Sequence, residues 1–324
     1  MIKDTVTEDL LLRKPTFIAF LFATVLVCFL IFDPSQSLIG HLLEPALGDP
    51  DTSGLYGRFV TSFMLAVLMV LNLLAISLIP NFRLQVICVW IELLILFLSF
   101  FYSFDLSFEF IRSKIWFMVT QGIFTTLYVS AISIVIASFI AIIGAVAKMS
   151  SNGFAYAIAS FYTSFFRGLP LLMQVYLIYL GFPQIGYVID AVPAGIIALS
   201  LCYGAYMTEI FRAGIMSIDA GQWEGSRALG FKFSLIMRKI ILPQSIPLII
   251  PPTGNQFIAM LKDSSLVSVI GVWELMFLAR TLGNKTFNHM EMLITAAMLY
   301  WMMTMVLELI QSRIERKYQK RQSR

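Results

Sequence analysis

Charged residues are scarce in this chain of 324 residues, where they make up 13% of the sequence against 59% for apolar residues. A soluble domain carries about a quarter charged residues. With so few charges the chain cannot cover its surface with solvated groups, so lipid must be the solvent for much of it. The low charge and the mean hydropathy of +0.84 therefore exclude an ordinary soluble domain.

Residues that bind metals or form disulfides are also few. The three cysteines, Cys28, Cys88 and Cys202, lie in apolar stretches without CxxC spacing and are interpreted as small buried hydrophobes. The two histidines, His41 and His289, are far apart, have no partner at ligand spacing and are predicted to lie in loops. We therefore expect no metal site in this chain.

Catalytic and nucleotide-binding patterns are missing as well. No GxxxxGK[ST] phosphate loop occurs, so the chain is not expected to bind ATP itself. A membrane-embedded enzyme would require a nucleophile with a base, or histidine and carboxylate ligands at helical spacing, and neither histidine offers that. Nucleic-acid binding is not expected, because the basic residues flank apolar stretches and form no separate domain.

Long apolar stretches dominate what is present. A bilayer core of about 30 Å requires roughly 20 apolar residues per helix. The predicted spans are residues 16–32, 59–79, 84–104, 115–147, 154–181, 192–211, 242–261 and 293–309. The fourth exceeds one crossing and is expected to begin with an interfacial turn, and the fifth is interrupted from Arg167 to Pro170. The sequence thus predicts an all-α, polytopic bundle of about eight spans.

Lysine and arginine placement predicts the orientation of these spans. With eight spans, sixteen basic residues fall on the side of both termini and six on the other side. The six are Arg58, Arg112, Lys114, Lys262, Arg280 and Lys285. The excess predicts that both termini are cytoplasmic. The acidic loop 33–56, which carries no lysine or arginine, agrees with an outside position.

The polar segment 217–243 lies between two spans on the predicted cytoplasmic side. Asp219 and Gln222 have the spacing of a capping box that opens a short helix, and Gly230 offers a left-handed stop. Glu224 and Arg227 lie close on one face of that helix. Its apolar contacts are assigned to Trp223, Ala228 and Leu229. The residues alone leave two alternatives, a helix resting at the lipid interface or one that projects a tryptophan and an ion pair into a partner's groove.

This segment resembles the EAA loop of the permease subunits of ATP-binding-cassette importers. Five residues fall at the spacing of that motif, namely Glu224, Gly230, Ile240, Leu242 and Pro243. Gly225 and Ser226 replace two alanines of the family pattern. Both are small, but Gly225 lowers helix stability by up to about 1 kcal/mol relative to alanine.

Three further stretches are similar to the polar amino acid branch of that family. They are FRGLPLLMQ (166–174), where Leu169 replaces a threonine, YGAYMTEIFRAGI (203–215) and GNQFIAMLKDSSLVSVIG (254–271). The resemblance covers roughly residues 121–315. It implies a permease core of five helices at 115–315 with a coupling loop at 214–242, preceded by a three-helix extension at 1–114 and followed by a basic tail at 316–324.

The resemblance also implies partners and a place in the cell. The expected partners are a cytoplasmic ATPase dimer that holds ATP and Mg²⁺, a second permease subunit that is identical or homologous, an extracytoplasmic substrate-binding protein and an amino acid substrate. The expected location is the bacterial inner membrane, and no cofactor is expected in this chain. The residues implied in coupling to the ATPase are Gln222, Trp223, Glu224, Arg227, Ala228, Leu229 and Gly230.

Polar residues inside the predicted spans are candidates for the substrate pathway, because such groups are costly in lipid. Arg167 lies beside a helix interruption, and its guanidinium could bind a substrate carboxylate. Alternatively it pairs with a carboxylate of the chain or snorkels. A second polar run contains Asn255, Gln256, Lys262 and Asp263, in which Gln256 and Asp263 share a helical face. Its alternatives are packing and capping. Glu209 and Arg212 are predicted to form a local ion pair.

The rival hypothesis is an ion-coupled secondary transporter that acts without an ATPase. Such a transporter is expected to carry paired broken helices in two repeated halves. The sequence has one clear break, at Gly168 to Pro170, and so favours the ATP-driven importer.

Overall fold

The chain is helical wherever the structure describes it. The structure, a computed structural model, describes residues 14–32, 50–102, 104 and 106–322, and within these ranges it contains no β-strand. In chain order the helices are α1 (Pro15–Phe32), α2 (Pro50–Ser77), α3 (Phe82–Tyr102), α4 (Phe108–Phe117), α5 (Phe124–Lys148), α6 (Gly153–Gly168), α7 (Leu171–Gln184), α8 (Ala191–Met216), α9 (Ala220–Ala228), α10 (Phe233–Ile236), α11 (Leu242–Asp263), α12 (Leu275–Thr286) and α13 (His289–Gln322). The predicted all-α class is confirmed.

Most of these helices have the length and composition of membrane spans. Among the described residues, seven helices are long and apolar enough to cross a membrane, and the number is eight if the bent pair α6 and α7 counts as one span. This agrees with the predicted bundle of about eight spans. Residues 33–49, which include His41 and most of the predicted acidic loop, lie outside the described residues. The rest of that predicted loop is helical, because α2 begins at Pro50.

The predicted interfacial turn at the start of the fourth span is wrong. The chain is continuously helical over the 41 residues Phe108–Lys148. A π-helical segment, Met118–Ile123, joins α4 to α5 without a break in the helix. Gly122 lies against Leu275 there, and an added Cβ would meet that side chain at 3.1 Å. Such a helix is about 60 Å long and exceeds the apolar layer, so its ends extend beyond it.

The break in the fifth predicted span is real and sharper than an interruption. The axes of α6 and α7 differ by 106°. Pro170 precedes α7 and has no N–H to continue α6. The buried Gln174 amide donates hydrogen bonds to the carbonyls of Phe166, at 2.8 Å, and Leu169, at 2.9 Å. These bonds satisfy backbone groups that the bend leaves free.

The contacts divide the chain between Leu106 and Ser107 into two compact units. In the first unit α1 packs against α2, where the rings of Phe22 and Phe63 meet edge to face at 5.4 Å. The Asn72 amide donates to the Glu92 carboxylate at 3.0 Å, joining α2 to α3. Only a small part of α1 is buried, and no residue of the apolar window 82–99 in α3 is buried.

The second unit begins earlier than residue 115, where the sequence placed the start of the core. Phe110 and Ile111 of α4 pack against a cluster that contains Met118, Leu275 and Met292. The backbone N–H of Ser107 donates to Glu291 of α13 at 3.2 Å. The α4 helix therefore belongs with the core helices. At the other end α13 continues through the predicted tail as far as Gln322.

Helices α5 and α8 form the centre of the second unit, and small residues let them approach closely. Gly204 of α8 faces Tyr162 and Ile140, and an added Cβ would lie 2.7 Å from the tyrosine hydroxyl and 2.9 Å from the isoleucine. Close contact through small residues is the usual way in which membrane helices pack. The largest cluster of buried side chains surrounds this contact and includes Val129, Ala137, Ala141, Leu199, Met207 and Met260.

We expect Gly204→Val to destabilise the bundle by about 1–3 kcal/mol, because the added methyl groups overlap atoms already present. The measurement is the unfolding temperature of the purified protein in detergent. Gly181→Val is the matched control, since Gly181 is also helical but has no atom within 4 Å of an added Cβ. Equal unfolding temperatures for the two variants would contradict the close packing of α8.

Helix α11 carries three internal prolines, Pro247, Pro251 and Pro252. Each proline lacks the N–H that would bond to the carbonyl four residues earlier. Gln311 of α13 supports this region by donating to the Pro251 carbonyl at 3.2 Å and to the Asn255 side chain at 2.8 Å. The two helices therefore cross at a polar contact near the middle of α11.

Candidate functional site: an exposed helix and a charged cleft

The short helix α9 begins where the sequence predicted. Asp219 precedes it and accepts a hydrogen bond from the Gly221 N–H at 2.8 Å. The predicted capping box is only half formed, because the Gln222 side chain does not return to Asp219. Instead, the Gln222 oxygen accepts from Gln244 of α11 at 3.2 Å. This bond links α9 directly to the start of α11.

The end of α9 is also as predicted. Gly230 has φ +74°, the left-handed region that favours glycine, so the predicted stop is confirmed. The Gly230 N–H donates to the Arg227 carbonyl at 2.9 Å, and the Phe231 N–H donates to the Ser226 carbonyl at 3.2 Å. The chain turns sharply there and leads into α10.

Trp223 does not project outward, which corrects one of the two sequence-based alternatives. It is half-buried and packs against a cluster that contains Ile215, Ile218 and Ile236. Its ring stacks on Phe233 with the centroids 6.4 Å apart. The tryptophan therefore anchors α9 to the ends of α8 and α10.

The other predicted coupling residues of α9 are exposed, and Glu224, Arg227 and Ala228 share one face of the helix. Gln222, Glu224, Arg227 and Ala228 are exposed, and the Leu229 side chain is 73% exposed. Glu224 and Arg227 form no ion pair within 4.0 Å among the described side chains, although the sequence places them close on one face. Helix α9 thus offers a free carboxylate and a free guanidinium on one face, and an exposed apolar side chain at its C-terminal end.

A cleft of about 400 Å³ lies beside the bend between α6 and α7; we call it the Arg167–Asp263 cleft. The Tyr203 hydroxyl donates to the Asp263 carboxylate at 2.7 Å. The Arg167 guanidinium lies over the Tyr206 ring, 5.5 Å from its centroid. The lining residues are Arg167, Gly168, Leu169, Pro170, Leu171, Cys202, Tyr203, Tyr206, Gln256 and Asp263. The cleft therefore carries one cation and one anion.

Three of the five predicted pathway residues meet in this cleft, namely Arg167, Gln256 and Asp263. The other two do not line it. Asn255 is bonded to Gln311, and Lys262 is exposed on another side of α11. Successive helical residues are rotated by about 100°, so the neighbours of Gln256 and Asp263 point away from the cleft. Sequence reasoning missed the tyrosines, although Tyr203 and Tyr206 are spaced i,i+3 within a predicted span.

Glu209 is surrounded by three cations. It bonds to Lys148, to Arg212 at 3.0 Å and to Arg167 at 3.8 Å. Lys148 also donates to the Thr163 hydroxyl at 3.1 Å. The predicted Glu209–Arg212 pair is confirmed, and Arg167 also pairs with a carboxylate of the chain, as one sequence-based alternative held. No group of three or more possible metal ligands occurs among the residues that the structure describes.

The second unit resembles membrane transport subunits in both sequence and fold. Residues 138–320 match the family model described as the binding-protein-dependent transport system inner membrane component. Two relatives come from Bacillus subtilis (strain 168). The probable amino-acid ABC transporter permease protein YckA is 38% identical over 62% of this chain and 88% of its own length. The arginine transport system permease protein ArtQ is 38% identical over 61% of this chain and 91% of its own length.

Solved structures give the same result. One, described as an amino acid ABC transporter with histidines, aligns with a TM-score of 0.63 and 37% identity, covering 66% of this chain and 100% of the other. The methionine transporter MetNI aligns with a TM-score of 0.55 at 20% identity, which shows a shared fold.

The helical bundle, its bent pair and its exposed short helix define the membrane-spanning subunit of a transporter. More specifically, the chain belongs to the family of binding-protein-dependent transport system inner membrane components. The family match begins at residue 138, so the first unit, which ends at Leu106, is an addition to the matched region.

Proposed function

We propose that this chain is the translocation subunit of an ATP-driven importer for polar amino acids. The observation that carries the proposal is the Arg167–Asp263 cleft, which presents a guanidinium and a carboxylate in one space. An amino acid carries the complementary pair of charges. The relatives support this class of substrate, since they include proteins named for arginine and L-cystine transport.

Each polar group of the cleft has a specific task in this proposal. The planar guanidinium of Arg167 binds the substrate carboxylate through two hydrogen bonds. The Asp263 carboxylate binds the substrate ammonium, and the Tyr203 hydroxyl holds the Asp263 side chain in place by a hydrogen bond. The Gln256 amide binds a polar side chain of the substrate. The volume of about 400 Å³ lies within the range of small-molecule sites, roughly 300–1,000 Å³.

The exposed face of α9 is the proposed contact with a cytoplasmic ATPase dimer that holds ATP and Mg²⁺. Glu224 and Arg227 have no partner within the described part of the chain, and Leu229 offers an apolar anchor. Gly230 permits the turn after them. Closure of the ATPase around ATP then biases the bundle between two conformations. In this arrangement the chain is not an enzyme, and both termini are cytoplasmic.

The remaining partners follow from the same proposal. A second permease subunit, identical or homologous, completes the translocation pathway. A substrate-binding protein delivers the amino acid on the extracytoplasmic side of the bacterial inner membrane. The family description, which names binding-protein-dependent transport, supports this partner.

The test is reconstitution of the chain in proteoliposomes with its ATPase and binding-protein partners, followed by uptake measurements with a panel of labelled amino acids. We expect uptake to require ATP and both partners. Uptake by this chain alone, driven by a sodium or proton gradient, would replace the proposal with the ion-coupled secondary transporter. Absence of uptake for every amino acid in the panel would refute the proposed substrate class.

Arg167→Ala is expected to raise KM for uptake about tenfold, because a charge-assisted hydrogen bond to the substrate is lost. Association with the ATPase should persist, as measured by co-purification. Arg212→Ala is the matched control, since it also removes one cation from Glu209 but does not line the cleft. If both variants change uptake equally, Arg167 has only a structural role.

A further inference from the structure

A second cleft, of about 320 Å³, lies between α7, α12 and the 3-10 helix Ser264–Ile270; we call it the Arg280 cleft. Phe277, Arg280, Thr281 and Asn284 all line it. Their spacing of i, i+3, i+4 and i+7 places them along one face of α12. Most of the lining is polar, and the family resemblance gives no role to this face.

The charge in this cleft is uncompensated. Arg280 forms no ion pair within 4.0 Å among the described side chains, and no lining residue is acidic. Hydroxyl groups of Tyr176, Ser268 and Thr281 and the amide of Asn284 supply further hydrogen-bond donors. A free guanidinium surrounded by neutral donors fits a carboxylate and not an ammonium group.

A buried carboxyl group fixes the position of α12. Glu274 is fully buried and accepts hydrogen bonds from the N–H groups of Phe277, at 2.7 Å, and Met276, at 2.8 Å. The Tyr300 hydroxyl of α13 also donates to it. Burial raises the pKa of Glu274 to about 7, while these hydrogen bonds act in the opposite direction. Because the Glu274 carboxyl group is bonded to groups of α12 and α13, it does not neutralise Arg280.

The two clefts lie one after the other between α7 and the chain that runs from α11 into the 3-10 helix. Leu171 of α7 lines the Arg167–Asp263 cleft and Tyr176 lines the Arg280 cleft, about 7.5 Å further along that helix. On the opposite wall, Asp263 lines the Arg167–Asp263 cleft and Ser268, five residues later, lines the Arg280 cleft. Helix α11 begins beside α9, so the Arg280 cleft lies further from α9 than the Arg167–Asp263 cleft does. Lysine and arginine placement puts that far end outside the cell.

We propose that the Arg280 cleft is an entry site that binds the carboxylate of the arriving amino acid before it reaches the Arg167–Asp263 cleft. This inference rests on the proposed function. At the entry site only the carboxylate is bound, because the cleft has a cation and no anion. At the deeper site both charges of the amino acid find partners. The order of the two sites therefore orients the substrate with its carboxylate group held first.

The first test compares uptake by Arg280→Gln, Arg280→Lys and the control Lys285→Gln in the complete reconstituted transporter. Lys285 is exposed on the same helix but does not line the cleft. We expect Arg280→Gln to lower the maximal uptake rate roughly fivefold, because a partly solvated charge-assisted bond is lost. Arg280→Lys should keep most of the rate, and Lys285→Gln should equal the wild type.

The affinity of the loaded binding protein for the transporter is measured on the same variants. We expect it to change less than about twofold in Arg280→Gln. A loss of affinity that accounts for the whole loss of uptake would show that Arg280 meets a carboxylate of the binding protein, and would overturn the proposal. Equal uptake by Arg280→Gln and Lys285→Gln would overturn it too. A wild-type complex without amino acid uptake would instead refute the proposed function.

A second test detects occupancy without the binding protein. Asn284→Cys, in a chain with Cys28→Ser, Cys88→Ser and Cys202→Ala, is labelled with a maleimide while L-arginine, L-histidine or L-glutamine is present; Cys202 is removed because it lines the Arg167–Asp263 cleft. We expect millimolar concentrations of the transported amino acid to slow labelling, and its carboxamide derivative to have no effect. Equal protection by both compounds, or by neither, would contradict a carboxylate site.

Discussion

Glu224→Lys is expected to reduce ATP-driven uptake to background, at least about 100-fold below the wild type. Reversal of a charge in a docking face replaces an attraction with a repulsion that is worth several kcal/mol. Glu224 is exposed and has no partner within the described part of the chain, so its replacement should leave the fold intact. Uptake is measured in proteoliposomes, and association by co-purification with the ATPase.

Lys317→Glu serves as the control for this change. It also reverses an exposed charge, at the end of α13, but lies outside α9. We expect normal uptake by this variant and unaltered unfolding temperatures for both. Normal uptake by Glu224→Lys would remove α9 from the coupling mechanism, whereas a lowered unfolding temperature would show that Glu224 has a structural role.

Glu209→Gln is expected to destabilise the core by roughly 2 kcal/mol and to reduce uptake as well. The substitution leaves Lys148, Arg167 and Arg212 together without an anion. Loss of one partner from a fully buried ion pair costs about 3–5 kcal/mol. The side chains of Lys148 and Glu209 are 12% and 21% exposed, so partial solvation reduces that cost. The unfolding temperature of the purified protein measures the effect.

Glu308→Gln is the matched control, because Glu308 is an exposed carboxylate of α13 with no ion pair in the described structure. A second variant isolates the electrostatic cause. Lys148→Gln combined with Glu209→Gln should recover part of the lost stability, since one unpaired cation is removed with the anion. The effect of Lys148→Gln on stability is therefore measured in the wild type and in Glu209→Gln. If Lys148→Gln lowers stability equally in both, repulsion between the cations is not the cause.

The membrane spans could be predicted from the sequence because bilayer thickness imposes a minimum length on each apolar run. The ends of the spans could not. Helix α13 continues from the apolar run at 293–309 to Gln322, through residues such as Gln311 and Arg313. Those residues form good helices in water as well as in lipid. Hydropathy detects where lipid contact ends, and the helix itself continues beyond that point.

Helix α12 escaped prediction because it has only 12 residues, and its second half is mostly polar, so it is too short and too polar for a span. Its signal was nevertheless present. Leu275, Leu278 and Ala279 are buried at spacing i, i+3 and i+4, and Glu274 precedes them as a cap. A search for short amphipathic helices, rather than for spans, would have found α12 and with it the face that carries Arg280.

The site was predictable only to the extent that local sequence determines it. Asp219 and Gly230 set the limits of α9 through local backbone interactions. The inward packing of Trp223 depends on Phe233 and on residues of α8, and no local pattern specifies it. The bond between Tyr203 and Asp263 joins residues 60 positions apart. Such contacts arise from packing, which a single sequence does not show.

The prolines of α11 bear on how movement of α9 reaches the Arg167–Asp263 cleft. Gln244 at the start of α11 is bonded to α9, and Asp263 at its end faces the cleft. Between them, the missing N–H groups of Pro247, Pro251 and Pro252 make the helix easy to bend. A small displacement of α9 would therefore bend α11 at these prolines and change the angle between its two ends. Arg167 lies on a different helix, α6, so a bend in α11 alters the gap between Arg167 and Asp263, the two charges that we propose bind the amino acid.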